Sequence, residues 1–152
     1  MISLTLAMQL KEAGLLWRPQ LHDFFAIPGT DLEDRLFVVS DMMIDVQKLY
    51  GNEMITFNGA VEWSLDYILR ADVTWLPTES QLRQYLEDHL FVTRQTTLEL
   101  SKKPNGYICR INYLGTIQKF EALKAEDAYG QALYFLLQEA QRQRPPGSGP
   151  VA

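Results

Sequence analysis

Between residues 96 and 122 the chain alternates apolar and polar side chains through three short segments separated by two turn signals. In TTLELS, Leu98 and Leu100 share a face, and in YICRINY, Tyr107, Cys109, Ile111 and Tyr113 do the same. Successive residues of a strand point to opposite faces, so this pattern demands a sheet with one apolar side. The first connection, KPNG, is a turn with a mechanism: Pro104 fixes one φ angle and Asn105-Gly106 tolerates positive φ. A second turn near Leu114-Gly115 leads into TIQKFEA. Upstream, Pro77 and the T-x-x-Q box of Thr78 and Gln81 mark a helix start before LRQYLEDHL. Downstream, AEDAYGQALYFLLQEAQR reads as a helix with acids in its first turn and Arg142 in its last, matching the helix dipole. The expectation is an α-β-β-β-α unit: a three-stranded antiparallel meander covered on one side by helices. The run LYFLL (133–137) goes round its helix, so that helix is either sandwiched inside the fold or part of a subunit interface.

The first half is less regular. Ser3 is placed to cap a helix over Leu4–Ala13 that stops at Gly14. The segments LLWRP and HDFFAI read as extended, and a hairpin is expected between residues 24–27 and 36–40 across the loop PGTDLEDR. SDMMIDVQKLYG reads as a helix ended by Gly51, EMITFNG as a strand, AVEWSLDYILR as a second helix and DVTWLP as a short strand. The fold class is therefore α+β. A single compact domain is expected over 1–142, with sub-units of about 1–76 and 77–142, followed by a disordered Pro/Gly/Ser tail over 143–152.

Size and composition narrow the function classes. At 152 residues the chain can bury about two thirds of its unfolded surface, so it needs neither disulfide nor metal to fold. One cysteine, Cys109, excludes an intrachain disulfide and fits a reducing, cytoplasmic setting. The N-terminal segment lacks the basic start of a signal peptide, and no apolar run approaches the about 18 residues of a membrane span. Residues 1–91 hold 6 Lys/Arg against 14 Asp/Glu, and residues 92–152 hold 8 against 5. An acidic half argues against a nucleic-acid surface, which needs a clustered basic face. The α-β-β-β-α order is also that of a double-stranded RNA-binding domain, but Glu126 and Asp127 stand where that module needs lysines for phosphate.

The candidate chemistry is sparse. Asp41 and Asp45, one helical turn apart on the expected helix, could with Asp31 and the nearby Glu33 and Asp34 hold Mg²⁺ or Mn²⁺. The plainer reading makes Asp41 a helix cap and Asp45 a first-turn acid. His22 and His89 form no ligand pair, Cys109 sits on an apolar strand face, and no phosphate-binding loop or serine elbow is present. No cofactor is expected. The aromatics Trp17, Phe24, Phe25, Trp63, Tyr67 and Trp75 crowd the acidic half. They form either the core of that half or the lining of a groove for a ligand or partner, with Trp17, Phe25, Trp63, Tyr67 and Trp75 the binding candidates.

The phrases EAGLLWRP, DFFAIP, FVVSDM, FNGAVEWSLD, TWLPTESQLRQYL and EDAYGQALYFLL occur in this order. On them the chain resembles, over about residues 3–140, a family of small uncharacterised bacterial proteins, some labelled pilus assembly protein. The resemblance implies no activity or catalytic residue, and the chain lacks the phosphate loop of a pilus-assembly ATPase. The expected function is non-catalytic: an interaction or adaptor module that binds a protein partner or a second copy, and neither nucleic acid nor membrane. A metal-dependent enzyme using Asp31, Asp41 and Asp45, or a small-molecule module with an aromatic pocket, are the alternatives.

Overall fold

Two tight hairpins organise the second half of the chain in the computed structural model, which describes residues 1–32, 35–40, 44–49, 51–57, 67–92 and 97–143, with the backbone alone at 44–47, 49, 56, 57, 67, 91 and 92. Strands β7 (Leu98–Lys103), β8 (Gly106–Tyr113) and β9 (Thr116–Ala122) form the antiparallel meander. The first turn closes on Lys103 and Gly106, and Gly106 adopts φ +148°. A β-carbon there would lie 2.4 Å from the carbonyl oxygen of Ala122, so only glycine fits. The second turn carries positive φ at both Leu114 (50°) and Gly115 (82°), the geometry of a type I′ turn.

The alternation read from the sequence sorts the two faces of this sheet. Cys109 and Ile111 are buried, and Leu98, Leu100, Tyr107, Tyr113, Phe120 and Ala122 pack around them on the helix-facing side. Helices α2 (Glu79–Val92) and α3 (Ala125–Arg142) cover that side through Leu82, Leu86, Leu90, Ala132, Leu133 and Leu136. The LYFLL run is thus sandwiched inside the fold, where Phe135 meets Phe120 and Tyr113 edge-on or tilted. The capping box at the start of α2 is formed: Thr78 N donates to Gln81 Oε1 at 2.9 Å and Gln81 N to Thr78 Oγ1 at 3.4 Å.

Helix α1 (Leu4–Glu12) lies along α3 and runs in the same direction. Its start is held because Ser3 N donates to Asp127 Oδ1 at 2.7 Å, and its end because Gln141 Nε2 donates to Ala13 O at 3.0 Å. Ser3 therefore begins the helix through its main chain, and its side chain makes no cap hydrogen bond, contrary to the sequence reading. Asp127 and Glu126, the acids at the start of α3, are engaged by the N-terminal segment.

The first half builds two further three-stranded sheets. In one, β1 (Phe24–Ala26) lies between β2 (Phe37–Val38) and β6 (Thr74–Trp75), with Phe24 opposite Val38, as the expected hairpin requires. In the other, β4 (Asn52–Phe57) lies between β3 (Ile44–Leu49) and β5 (Tyr67–Leu69). Here two expectations fail. The helix expected over SDMMIDVQKLYG is strand from Ile44 to Leu49, and Gly51, at φ +84°, follows the strand in a hairpin that pairs Leu49 with Asn52. The helix expected over AVEWSLDYILR gives way to strand at Tyr67–Leu69 and a single 3₁₀ turn at Arg70–Asp72, while residues 58–66 lie outside the described residues. The expected tail over 143–152 lies outside them too, apart from Gln143. No helix among the described residues is long and apolar enough to cross a membrane.

Candidate functional site

The segment leaving α1 carries Trp17 back toward β6, where its indole stacks on Trp75 at 6.4 Å with an interplanar angle of 6°. Phe25 on β1 tilts against Trp17 at 5.8 Å and stacks on Phe37 at 5.4 Å. Tyr85 of α2 meets Trp75 edge-on at 5.6 Å. Three of the sequence candidates, Trp17, Phe25 and Trp75, thus come together as the centre of a second core with Ile27, Val39, Ile55 and Val73. Trp63 lies outside the described residues, and Tyr67 begins β5 opposite Thr56, with only its backbone described.

Asp23 orients this cluster. Its buried carboxylate accepts from Trp17 Nε1 at 2.8 Å, from Gln20 N at 2.9 Å and from Gln81 Nε2 at 2.6 Å. A buried anion is stable when several donors replace its lost water, and these three come from different parts of the chain. Gln81 is thereby shared: its oxygen completes the cap of α2 while its nitrogen holds Asp23. Neighbouring His22 is exposed and sits in the left-handed region at φ 71°, its N–H bound to Val39 O at 2.8 Å. It does not form an acid/base pair with Asp23, whose two oxygens are already committed.

An open cleft of about 530 Å³ lies beside the Trp17–Trp75 stack, between α1 and the ends of β4 and β5. Its apolar lining comes from Ala7, Leu15, Leu16, Leu69 and Val73 together with the two tryptophans, which as residues are 6% and 8% exposed. Phe25, fully buried, does not line it. Lys11, Glu53 and Arg70 supply its charges. Arg70 and Glu53 form an ion pair that is neutral as a unit. Lys11 instead reaches the 3₁₀ turn, where its ammonium donates to Ala71 O and, at 2.8 Å, to Val73 O. The two carbonyl oxygens accept two of its three protons without cancelling its charge, and among the described residues no carboxylate pairs with it. Trp75 Nε1 is buried with no hydrogen-bond partner among the described residues.

Asp45 sits on strand β3 and not on the helix expected there. Asp41, Glu33 and Asp34 lie outside the described residues, Asp31 is exposed, and only the backbone of Asp45 is described. Among the described residues no three His, Cys, Asp or Glu side chains are grouped to hold a metal ion. The Cys109 thiol is fully buried, and loss of hydration pushes its pKa up to about 12, far from a nucleophile's range. His89 uses Nδ1 in a 2.8 Å contact with Tyr85 O within its own helix.

Sequence reasoning missed Lys11 and Arg70, and it read Asp23 only as a possible acid/base partner of adjacent His22, not as the hub of this network. Asp23 had a signal, an acid set between histidine and two phenylalanines at the start of an apolar strand. Lys11 and Arg70 had none, because their meeting depends on where α1 lies against the 3₁₀ turn. Comparison of the chain with protein-family models, with curated proteins and with solved structures returns no match.

Proposed function

We propose that the chain is a non-catalytic interaction module that receives a short segment of a partner protein in the cleft beside the Trp17–Trp75 stack. The observation that carries this reading is the cleft's pairing of an apolar lining with the Lys11 ammonium, which no carboxylate cancels among the described residues. An apolar side chain flanked by a carboxylate complements both, and burying it there displaces water from Leu16, Leu69 and the tryptophan edges. The mostly acidic character of residues 1–91 keeps unrelated acidic surfaces away, so local rather than overall charge selects the partner. The single, buried Cys109 supports a cytoplasmic setting. The test is capture from native lysate on immobilised chain, comparing wild type with Leu16→Asp. Leu16 is 65% exposed at the rim, so its substitution leaves the core intact. A stoichiometric protein recovered by wild type and lost with Leu16→Asp supports the reading; recovery of nothing, or the same recovery by both, defeats it.

A second reading, a small-molecule pocket, is favoured by Trp75 Nε1, which has no partner among the described residues and which a ligand acceptor would satisfy. It expects a change in tryptophan fluorescence with one member of a metabolite screen and fails if none produces it.

A further inference from the structure

Strand β9 is the edge of the meander: among the described residues it pairs with β8 alone. Its hairpin closes on Tyr113 and Thr116 across two residues. The closing pair of such a hairpin exchanges both main-chain hydrogen bonds, and bonded and non-bonded pairs alternate from there. Residues 116, 118, 120 and 122 therefore turn N–H and C=O toward β8, while Ile117, Lys119 and Glu121 turn theirs outward. These same three residues place exposed side chains on the sheet face away from the helices. Ile117 is 60% exposed and Leu123, immediately after the strand, is 80% exposed. Lys119 sits opposite Arg110, a like charge whose guanidinium is already bound to Glu99 at 3.1 Å. Neither Lys119 nor Glu121 forms an ion pair among the described residues.

A seven-residue edge with outward main-chain groups is a template for another strand. We propose that β9 pairs antiparallel with β9 of a second copy about a twofold axis at Phe120, joining two meanders into one six-stranded sheet. Hydrogen-bond parity allows only registers that set odd residues against odd residues. Centring the axis on Lys119 or Glu121 opposes like charges, and centring it on Gln118 sets Ile117 against Lys119. Centring it on Phe120 sets Lys119 against Glu121 twice and Ile117 against Leu123 twice. In that register each Lys119 gains the counter-charge its own sheet denies it, and the two exposed apolar side chains cover each other. The edge shares no residue with the cleft, and this inference does not rest on the cleft's proposed role. Two such edges bury less than the roughly 1,200 Å² of a standard interface, so the pairing is concentration-dependent.

Sedimentation of the full chain from about ten micromolar to about one millimolar reads the association. Wild type shifts from monomer to dimer across the range. Lys119→Glu and Glu121→Lys each weaken association by about tenfold or more, because each sets two like-charge pairs across the axis. An equimolar mixture of the two variants dimerises again, as does the Lys119→Glu/Glu121→Lys double variant, since both restore opposite charges. Unchanged far-ultraviolet circular dichroism shows that these exposed substitutions leave the fold alone. A wild type that stays monomeric throughout overturns the inference. So does a dimer indifferent to both substitutions, or a mixture and double variant that both remain monomeric.

Discussion

At the scale of single residues, Asp23 and Cys109 show two ways of burying a titratable group. Asp23 keeps its place by accepting from three donors, and each loses its partner if the carboxylate goes. Asp23→Ala is expected to destabilise the fold by about 2 kcal/mol in urea unfolding, since the buried Trp17 Nε1 loses its partner outright while the part-buried Gln20 and Gln81 donors can turn to water. Asp23→Asn is expected to lose less, because one amide oxygen still accepts from Trp17 or Gln20. Equal losses for the two would show that the network contributes little beyond packing. Cys109 has no such partners among the described residues, and burial raises its thiol to about 12. A group whose folded pKa lies above its unfolded value gives stability that is complete below the unfolded pKa and lost as pH rises toward the folded one. The unfolded thiol ionises near its usual value of 9.0, so stability declines from about pH 9 upward. Tyr85 and Tyr129, raised chiefly by burial, add to the fall at still higher pH. Denaturant midpoints of wild type and Cys109→Ala between pH 8 and pH 11 check this, and the variant's curve should fall less steeply. Parallel curves would refute the thiol's part in it.

At the scale of elements, turns with a strict backbone requirement were the legible part of the sequence. KPNG, Leu114-Gly115 and the Thr78/Gln81 box each fix geometry through local chemistry, and the structure forms a turn or cap at each. The segment 44–49 was misread because its signals serve two structures. Ile44 and Val46 alternate with Asp45 and Gln47, which suits a strand, yet Gly51 stops a helix as readily as it turns a hairpin. What decides is pairing with Asn52–Phe57, a contact that no window on the segment itself reveals. The cleft was legible only in part for the same reason. Trp17 and Trp75 announced themselves as aromatics, whereas Lys11 acquires its role from a helix docking 60 residues away from its acceptor on Ala71. Leu114 gives a test of turn chemistry. Its φ of 50° is unfavourable for a branched side chain by roughly 1 kcal/mol, and its side chain is exposed. Leu114→Asn creates the favoured Asn-Gly type I′ pair and should raise stability by about 0.5–1 kcal/mol. A lowered thermal midpoint would mean that Leu114 makes contacts worth more than the strain.

At the scale of the whole molecule, two apolar cores share few side chains. One gathers α1, α2, α3 and the meander; the other gathers Trp17, Phe25, Ile27, Val39, Ile55, Val73 and Trp75. Leu15 and Tyr85 pack against both, and Asp23 ties the second core to the cap of α2. Tyr85 is the strongest of these links, with its ring against Trp75 and its hydroxyl donating to Leu16 O at 3.2 Å. If the chain folds as a single cooperative unit, this seam transmits the cooperativity. The tryptophans supply a selective probe, since all three, at 17, 63 and 75, precede α2, while the long helices α2 and α3 dominate far-ultraviolet circular dichroism. In wild type, urea unfolding followed by fluorescence and by circular dichroism should give one midpoint. Tyr85→Ala removes the ring and the hydroxyl at the seam, and should reduce stability by about 2–3 kcal/mol. It should also separate the probes, with fluorescence changing at lower urea because the smaller core then melts first. Tyr85→Phe keeps the ring and loses only the hydroxyl, so its two transitions should stay together and shift by about 1 kcal/mol. Coincident transitions in Tyr85→Ala would place the coupling elsewhere, in the Asp23–Gln81 link, and Gln81→Ala is the variant that would then divide them.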